Sequence, residues 1–150
     1  MFRGVANLNL DTKGRMAMPS RYRDRLVETC EGRLVITVDR DGCLLVYPQP
    51  EWERIEQALM SRPNMDRQVR RLQRLLVGHA TECELDGQGR ILLPPPLRDY
   101  AGLDKRVVLV GQGNKFELWD EDTWVKSRDE WFKEEDETAE PSAVLESLSL

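Results

Sequence analysis

A chain of 150 residues with 40% apolar and 33% charged residues has room for one ordinary domain or two small ones, each marginal alone. No apolar run approaches the roughly 20 residues a membrane-crossing helix needs, and the start MFRGVANLNLD lacks an apolar signal core, so a soluble cytoplasmic protein without a membrane partner is expected. The formal net charge of −5 argues against a nucleic-acid partner, but the acidity is local: residues 1–25 carry six basic side chains against Asp11 and Asp24, while residues 117–150 carry twelve acids against three bases.

In chain order, alternation first places Leu8 and Leu10 on one face with Met16 and Met18, while Asn7 and Asn9 point away. This predicts a strand pair joined by a turn at 11–15. A short helix follows Pro19, with Tyr22 and Leu26 on its apolar side. Residues 34–52 read as a hairpin around the turn DRDG at 39–42, with a helix start near Trp52. Two helical patterns come next, at 51–62 and 65–79, separated by Pro63 and closed by Gly78. In the second, Val69, Leu72, Leu75 and Leu76 form a stripe. Arg67, Arg70, Arg71 and Arg74 occupy the rest, as a solvated face, a subunit contact or a DNA contact.

The order of elements then repeats. Cys83 and Leu85 precede a turn at 86–90, Ile91 and Leu93 follow it, and a helix after Pro94 carries Leu97 and Ala101 and ends at Gly102. A hairpin at 106–124 turns at GQGN, 111–114, and a helix runs from about Asp122 to about Phe132 with Trp124 and Trp131 two turns apart. The remainder, KEEDETAEPSAVLESLSL, reads as a flexible acidic tail whose last residues could fold against a partner.

This order reflects self-similarity. Shifted by 75 residues, LDTKGRMAMPSRYRD (10–24) matches LDGQGRILLPPPLRD (85–99) at seven of fifteen positions, and a shift of 72 sets 34–52 beside 106–124. The units run over 1–53 and 81–124, with connecting helices at 54–80 and the last helix and tail at 125–150.

Each unit contains D-x-x-G-R: Asp11 to Arg15, and Asp86 to Arg90. Asp shapes the turn by accepting from backbone N–H groups two residues on. Gly14 and Gly89 supply a positive φ. An arginine fixed beside such a turn suits phosphate or the O6/N7 edge of guanine, although an isolated motif also fits a plain surface ion pair. Lys13 adds a second cation at the first tip, where the second has Gln88; Arg3, Arg21 and Arg23 are weaker DNA-binding candidates.

Catalysis is not expected: there is no P-loop and no GxSxG, and the single histidine, His79, reads as a capping or packing residue. Cys30, Cys43 and Cys83 include no CxxC pair, so buried thiols are expected, with no metal and no cofactor.

The repeated L-D-x-x-G-R-[apolar]3-P pattern resembles the AbrB/SpoVT swapped-hairpin DNA-binding unit. Two such units with the helices around EWERIEQ and VRRLQRLLVGHA, followed by NKFELWD, resemble the MraZ family over about residues 1–132. The resemblance implies an α+β fold, mainly β, in which tandem units form a pseudo-two-fold barrel with added helices. It implies chains closing into a homo-oligomeric ring, nucleoid-associated, on double-stranded promoter DNA with short direct repeats. It further implies a transcriptional regulator, with repression expected, of the division and cell-wall operon, including its own gene. The family's DNA-contacting arginine maps onto Arg15, with Arg90 as its second-unit counterpart. An AbrB-like antitoxin is the alternative; it usually has one such unit and a long partner-binding segment.

Overall fold

The computed structural model describes residues 1–137 and 143–148. The first unit contains β1 (Phe2–Asn9), β2 (Arg15–Ala17), α1 (Ser20–Cys30), β3 (Arg33–Val38), β4 (Leu44–Pro48) and α2 (Gln49–Met60). A connecting helix, α3 (Arg67–Leu72), continues as a π-helical turn over Gln73–Val77. The second unit contains β5 (Thr81–Glu84), β6 (Arg90–Leu92), α4 (Pro95–Tyr100), β7 (Arg106–Gly113), β8 (Phe116–Asp120) and α5 (Glu121–Glu137), and α6 spans Ala143–Leu148.

Six strands form one antiparallel sheet in the order β1-β7-β8-β4-β3-β5, and β2 pairs with β6 in a separate ribbon. The order reads the same from either end once the units are exchanged. The first strand of each unit pairs with the third strand of the other, β1 on β7 and β5 on β3. The sheet is open, with β1 and β5 as its edges, so the strand pairing does not close a barrel.

This corrects the expected strand pair within each unit. Ladder pairing across the first turn is limited to one bridge, Leu10 with Met16, just beyond the end of β1. Elsewhere β1 follows β7 through eight registered pairs from Phe2–Gly113 to Asn9–Arg106. Hydrophobic alternation identifies which face of a strand is buried, and it does so without identifying the partner.

Both units contribute to one core: Met16, Leu26, Leu34, Ile36 and Leu44 from the first, Ile91, Leu93, Leu109, Phe116 and Leu118 from the second. Within it the rings of Phe2, Tyr22 and Phe116 meet, with centroids 4.4 Å (Phe2–Phe116), 4.9 Å (Tyr22–Phe116) and 5.9 Å (Phe2–Tyr22) apart. Such offset and edge contacts suit the ring quadrupoles.

Helix α2 and the π-helical turn pack on the first unit's hairpin, where Ile55, Leu76, Val77 and Ala80 lie against Val35, Tyr47 and Trp52. The π-helical turn leaves the Leu76 carbonyl accepting from the buried Thr37 hydroxyl at 2.6 Å. Gly78 follows in ordinary right-handed conformation, so its role differs from that of a left-handed helix stop. It is small because a Cβ there would lie 2.1 Å from the Arg74 carbonyl oxygen. His79 places Nδ1 2.7 Å from the Leu75 carbonyl, in a capping position.

Helix α2 starts earlier than expected, since Pro50 fits the first turn, where its missing N–H costs nothing. Helix α5 runs past Phe132 to Glu137 because the glutamates and lysine that read as tail are good helix formers and no proline intervenes. The rest of the expected tail is α6, apart from residues 138–142 and 149–150, which lie outside the described residues. No described helix is long and apolar enough to cross a membrane.

Candidate functional site

The two D-x-x-G-R turns adopt the same geometry. In the first, Asp11 Oδ1 accepts from the backbone N–H groups of Lys13 and Arg15, each at 2.9 Å. Its Oδ2 accepts from Arg15 Nε at 2.6 Å. In the second, Asp86 Oδ1 accepts from Gln88 and Arg90 N–H at 2.9 Å, and Oδ2 accepts from Arg90 Nε at 3.0 Å. Gly14 and Gly89 take φ of +82° and +75°, conformations that favour glycine.

The ion pair and a ligand-binding role are therefore compatible. Each carboxylate engages its arginine through Nε, and no hydrogen-bond partner lies on the terminal amines of Arg15 or Arg90 among the described residues. The guanidinium is oriented while its two-pronged end remains available. The backbone bond from Arg15, assisted by its side chain, holds the Asp11 carboxyl at about 2, below the usual 3.8. The backbone bond from Arg90 lowers Asp86 in the same direction.

Because the folded value is depressed, Asp11 contributes to stability fully above pH about 4, and the contribution is lost as pH falls toward 2. Carboxyl NMR over an acid titration is expected to show Asp11 ionised until pH about 2. A midpoint near 4 would mean that the turn does not hold its bonds in solution.

The turns are also gripped across the units. Arg98 of α4 lies under the first turn, where a Cβ on Gly14 would come within 2.6 Å of its guanidinium. Arg23 of α1 lies under the second, where a Cβ on Gly89 would come within 2.3 Å of its Cδ, and Arg23 Nη1 donates to the Gln88 carbonyl at 3.5 Å. The positive φ is what calls for glycine at both positions, and the missing Cβ also lets each arginine lie close against its turn. The Gly14 carbonyl accepts from Leu93 N–H and the Gly89 carbonyl from Met18 N–H, each at 3.0 Å. Buried Arg98 Nε has no hydrogen-bond partner among the described residues.

Between the turns runs the β2–β6 ribbon, with Arg15 opposite Leu92, Met16 opposite Ile91 and Ala17 opposite Arg90. Met16 and Ile91 are fully buried, which turns Arg15, Ala17, Arg90 and Leu92 together onto the outer face. Lys13 is exposed at the tip of the first turn.

Arg15, Lys13 and Arg90 are therefore gathered at one ribbon, and Arg23 joins them by supporting the second turn rather than by projecting freely. Arg3 and Arg21 lie elsewhere. Arg3 is eight residues before Asp11, about 25 Å along an extended strand. Arg21 lies 4.6 Å over the Tyr22 ring and donates to the tyrosine hydroxyl at 3.0 Å. That hydroxyl in turn donates to the Arg3 carbonyl. Sequence reasoning missed Arg98, although its in-register match with Arg23 was a usable signal.

Away from the ribbon, Asp39, Cys43 and Glu117 place ligand-type atoms within 4.8 Å of one another. Their own bonds account for the cluster: the Cys43 thiol donates to Asp39 at 3.6 Å and Trp119 Nε1 donates to Glu117 at 3.0 Å. Burial, reinforced by neighbouring carboxylates, pushes the Cys43 thiol and the Glu117 carboxyl up. Burial also raises the Cys83 thiol to about 12, although Cys83 is only partly buried, unlike Cys30 and Cys43.

A sequence model of the family described as "MraZ protein", with an antitoxin-like label, matches residues 1–75 and again residues 76–146. The chain is 59% identical over 152 aligned positions to the transcriptional regulator MraZ of Halorhodospira halophila, covering 100% of both chains. It is 62% identical over 134 residues to that of Methylococcus capsulatus, covering 89% of this chain and 88% of the relative. It is also 62% identical over 125 residues to that of Pseudomonas aeruginosa, covering 83% of each.

Proposed function

The chain belongs to the MraZ family of transcriptional regulators, and we propose that it binds short direct repeats in promoter DNA by placing the β2–β6 ribbon and its two turns against the duplex. The observation that carries this reading is the pair of guanidinium groups, Arg15 and Arg90, each clamped at Nε beside a glycine turn with its terminal amines free of partners among the described residues. A preoriented guanidinium loses little entropy on meeting a phosphate or a guanine edge. Lys13 makes the first turn the stronger of the two. Arg23 and Arg98 position the turns.

One ribbon makes few contacts, so a lone subunit binds weakly. A homo-oligomeric ring that places several ribbons on successive repeats raises avidity by roughly 10² to 10⁴ when the spacing fits. Two units related by a pseudo-two-fold axis in a barrel-like core are the building block of that ring. Serial engagement of a linear duplex requires the ring to bend or open. Bound over a promoter, the assembly represses its operon, that of cell division and cell-wall synthesis with the regulator's own gene, in the cytoplasm at the nucleoid.

The test is fluorescence anisotropy of the purified chain on the DNA upstream of its own gene, against shuffled DNA of equal length, across a salt series. Binding that prefers the upstream sequence and weakens steeply with salt is expected. Equal affinity for both DNAs at every salt concentration would sink the reading in favour of an antitoxin-like role, in which a protein partner co-purifies stoichiometrically.

A further inference from the structure

We propose that Leu92 reads sequence beside Arg15, by apolar contact with the 5-methyl group of a thymine in the major groove, and thereby gives the ribbon a direction. The inference rests on the DNA-binding reading above. Leu92 is 55% exposed, whereas its chain neighbours Ile91 and Leu93 are fully buried. It is directly opposite Arg15 in the β2–β6 register, and side chains in such pairs stand about 5 Å apart on one face. The outward face therefore carries two arginines on one diagonal and two apolar side chains, Leu92 and Ala17, on the other.

A two-stranded ribbon fits the major groove, about 12 Å wide. Within it, guanine offers O6 and N7 to an arginine, and thymine offers a methyl group to an apolar side chain. A leucine among cations gains nothing from phosphates. It gains from a methyl group at the depth that Arg15 reaches.

The placement also answers a question of symmetry. Pseudo-two-fold strand pairing would present equivalent halves to DNA and read a box equally well in either orientation, which suits palindromes. Direct repeats have polarity. The outward face departs from equivalence at three positions: Thr12 against Gly87 and Lys13 against Gln88 near the tips, and Leu92 against Ala17 in the ribbon. All three larger groups fall in the half centred on Arg15, although Leu92 comes from the second unit. One half thus combines a second cation with a long apolar reader, and the other has neither.

Replacing each thymine of the upstream repeats in turn by deoxyuridine removes only the methyl group. For the full chain, one thymine position per repeat is expected to lose about three- to fivefold in affinity on this change. Leu92→Ala is expected to abolish that sensitivity while leaving the salt dependence and the loss caused by Arg15→Ala intact. A methyl effect that persists in Leu92→Ala, or no sensitive thymine at all, overturns the role of Leu92 alone, provided that Arg15-dependent, sequence-preferring binding remains. Absence of that binding in the unaltered chain overturns both readings. Leu92 projects from the ribbon rather than into the core, and a thermal melt of Leu92→Ala matching the parent shows that the comparison is between folded proteins.

Discussion

Replacing Arg15 with alanine is expected to lower affinity for the upstream repeats by about tenfold or more for each subunit engaged. A bidentate arginine contact contributes about 1–3 kcal/mol, and about 1.4 kcal/mol corresponds to a factor of ten. When several ribbons act together the single-site losses compound, so an assembly on successive repeats falls toward its nonspecific affinity. The Asp11 clamp separates charge from geometry: Arg15→Lys retains the cation but cannot offer Nε to Asp11 with two terminal amines pointing outward. Lysine is therefore expected to recover salt-dependent binding more than sequence preference. Arg90→Ala is expected to cost less, since Gln88 gives its turn no second cation. Anisotropy titrations of the three variants on upstream and shuffled DNA decide the matter, and unchanged preference in Arg15→Ala would move the contact off the first turn.

The largest loss of stability is expected from Phe116→Ala, at about 3–5 kcal/mol. Phe116 is fully buried, and its ring contacts Phe2 and Tyr22, so this second-unit side chain holds the edge strand and first helix of the first unit. Interlocked pairing means that the main core is shared between the units, so its loss is felt by both. Urea unfolding followed by circular dichroism and by tryptophan fluorescence should give coincident transitions, displaced together in the variant. Trp52 reports on the first unit, and Trp119 with Trp124 and Trp131 on the second. Separate transitions for the two signals would show units that fold independently.

Much of the site was legible from local sequence because its chemistry is local. Asp11, Gly14 and Arg15 interact within four residues of one another, as do Asp86, Gly89 and Arg90, and turn geometry follows from the carboxylate, the positive φ and the spacing. In-register repetition then distinguished these turns from isolated ion pairs. Helix termini were less evenly legible: a left-handed glycine marked the end of α4, while the start of α2 lay two residues before the pattern that predicted it. Gly102 is such a stop, with φ of +61°, whereas Gly78 is small for a steric reason that only the π-helical turn reveals.

By itself the sequence determined the repeat, the buried faces of the strands flanking the two turns, the two clamped arginines, and membership of a family whose members regulate transcription. Those properties depend on residue type and short spacing, and they survive whatever partner each strand finds. Tertiary structure decided the pairings of β1 with β7, β5 with β3 and β2 with β6, because period-two alternation marks faces and is silent about neighbours. It also decided that Arg23 and Arg98 support the opposite unit's turn and that Leu92 stands beside Arg15, contacts across some 75 residues of chain whose geometry exists only once the two units interlock.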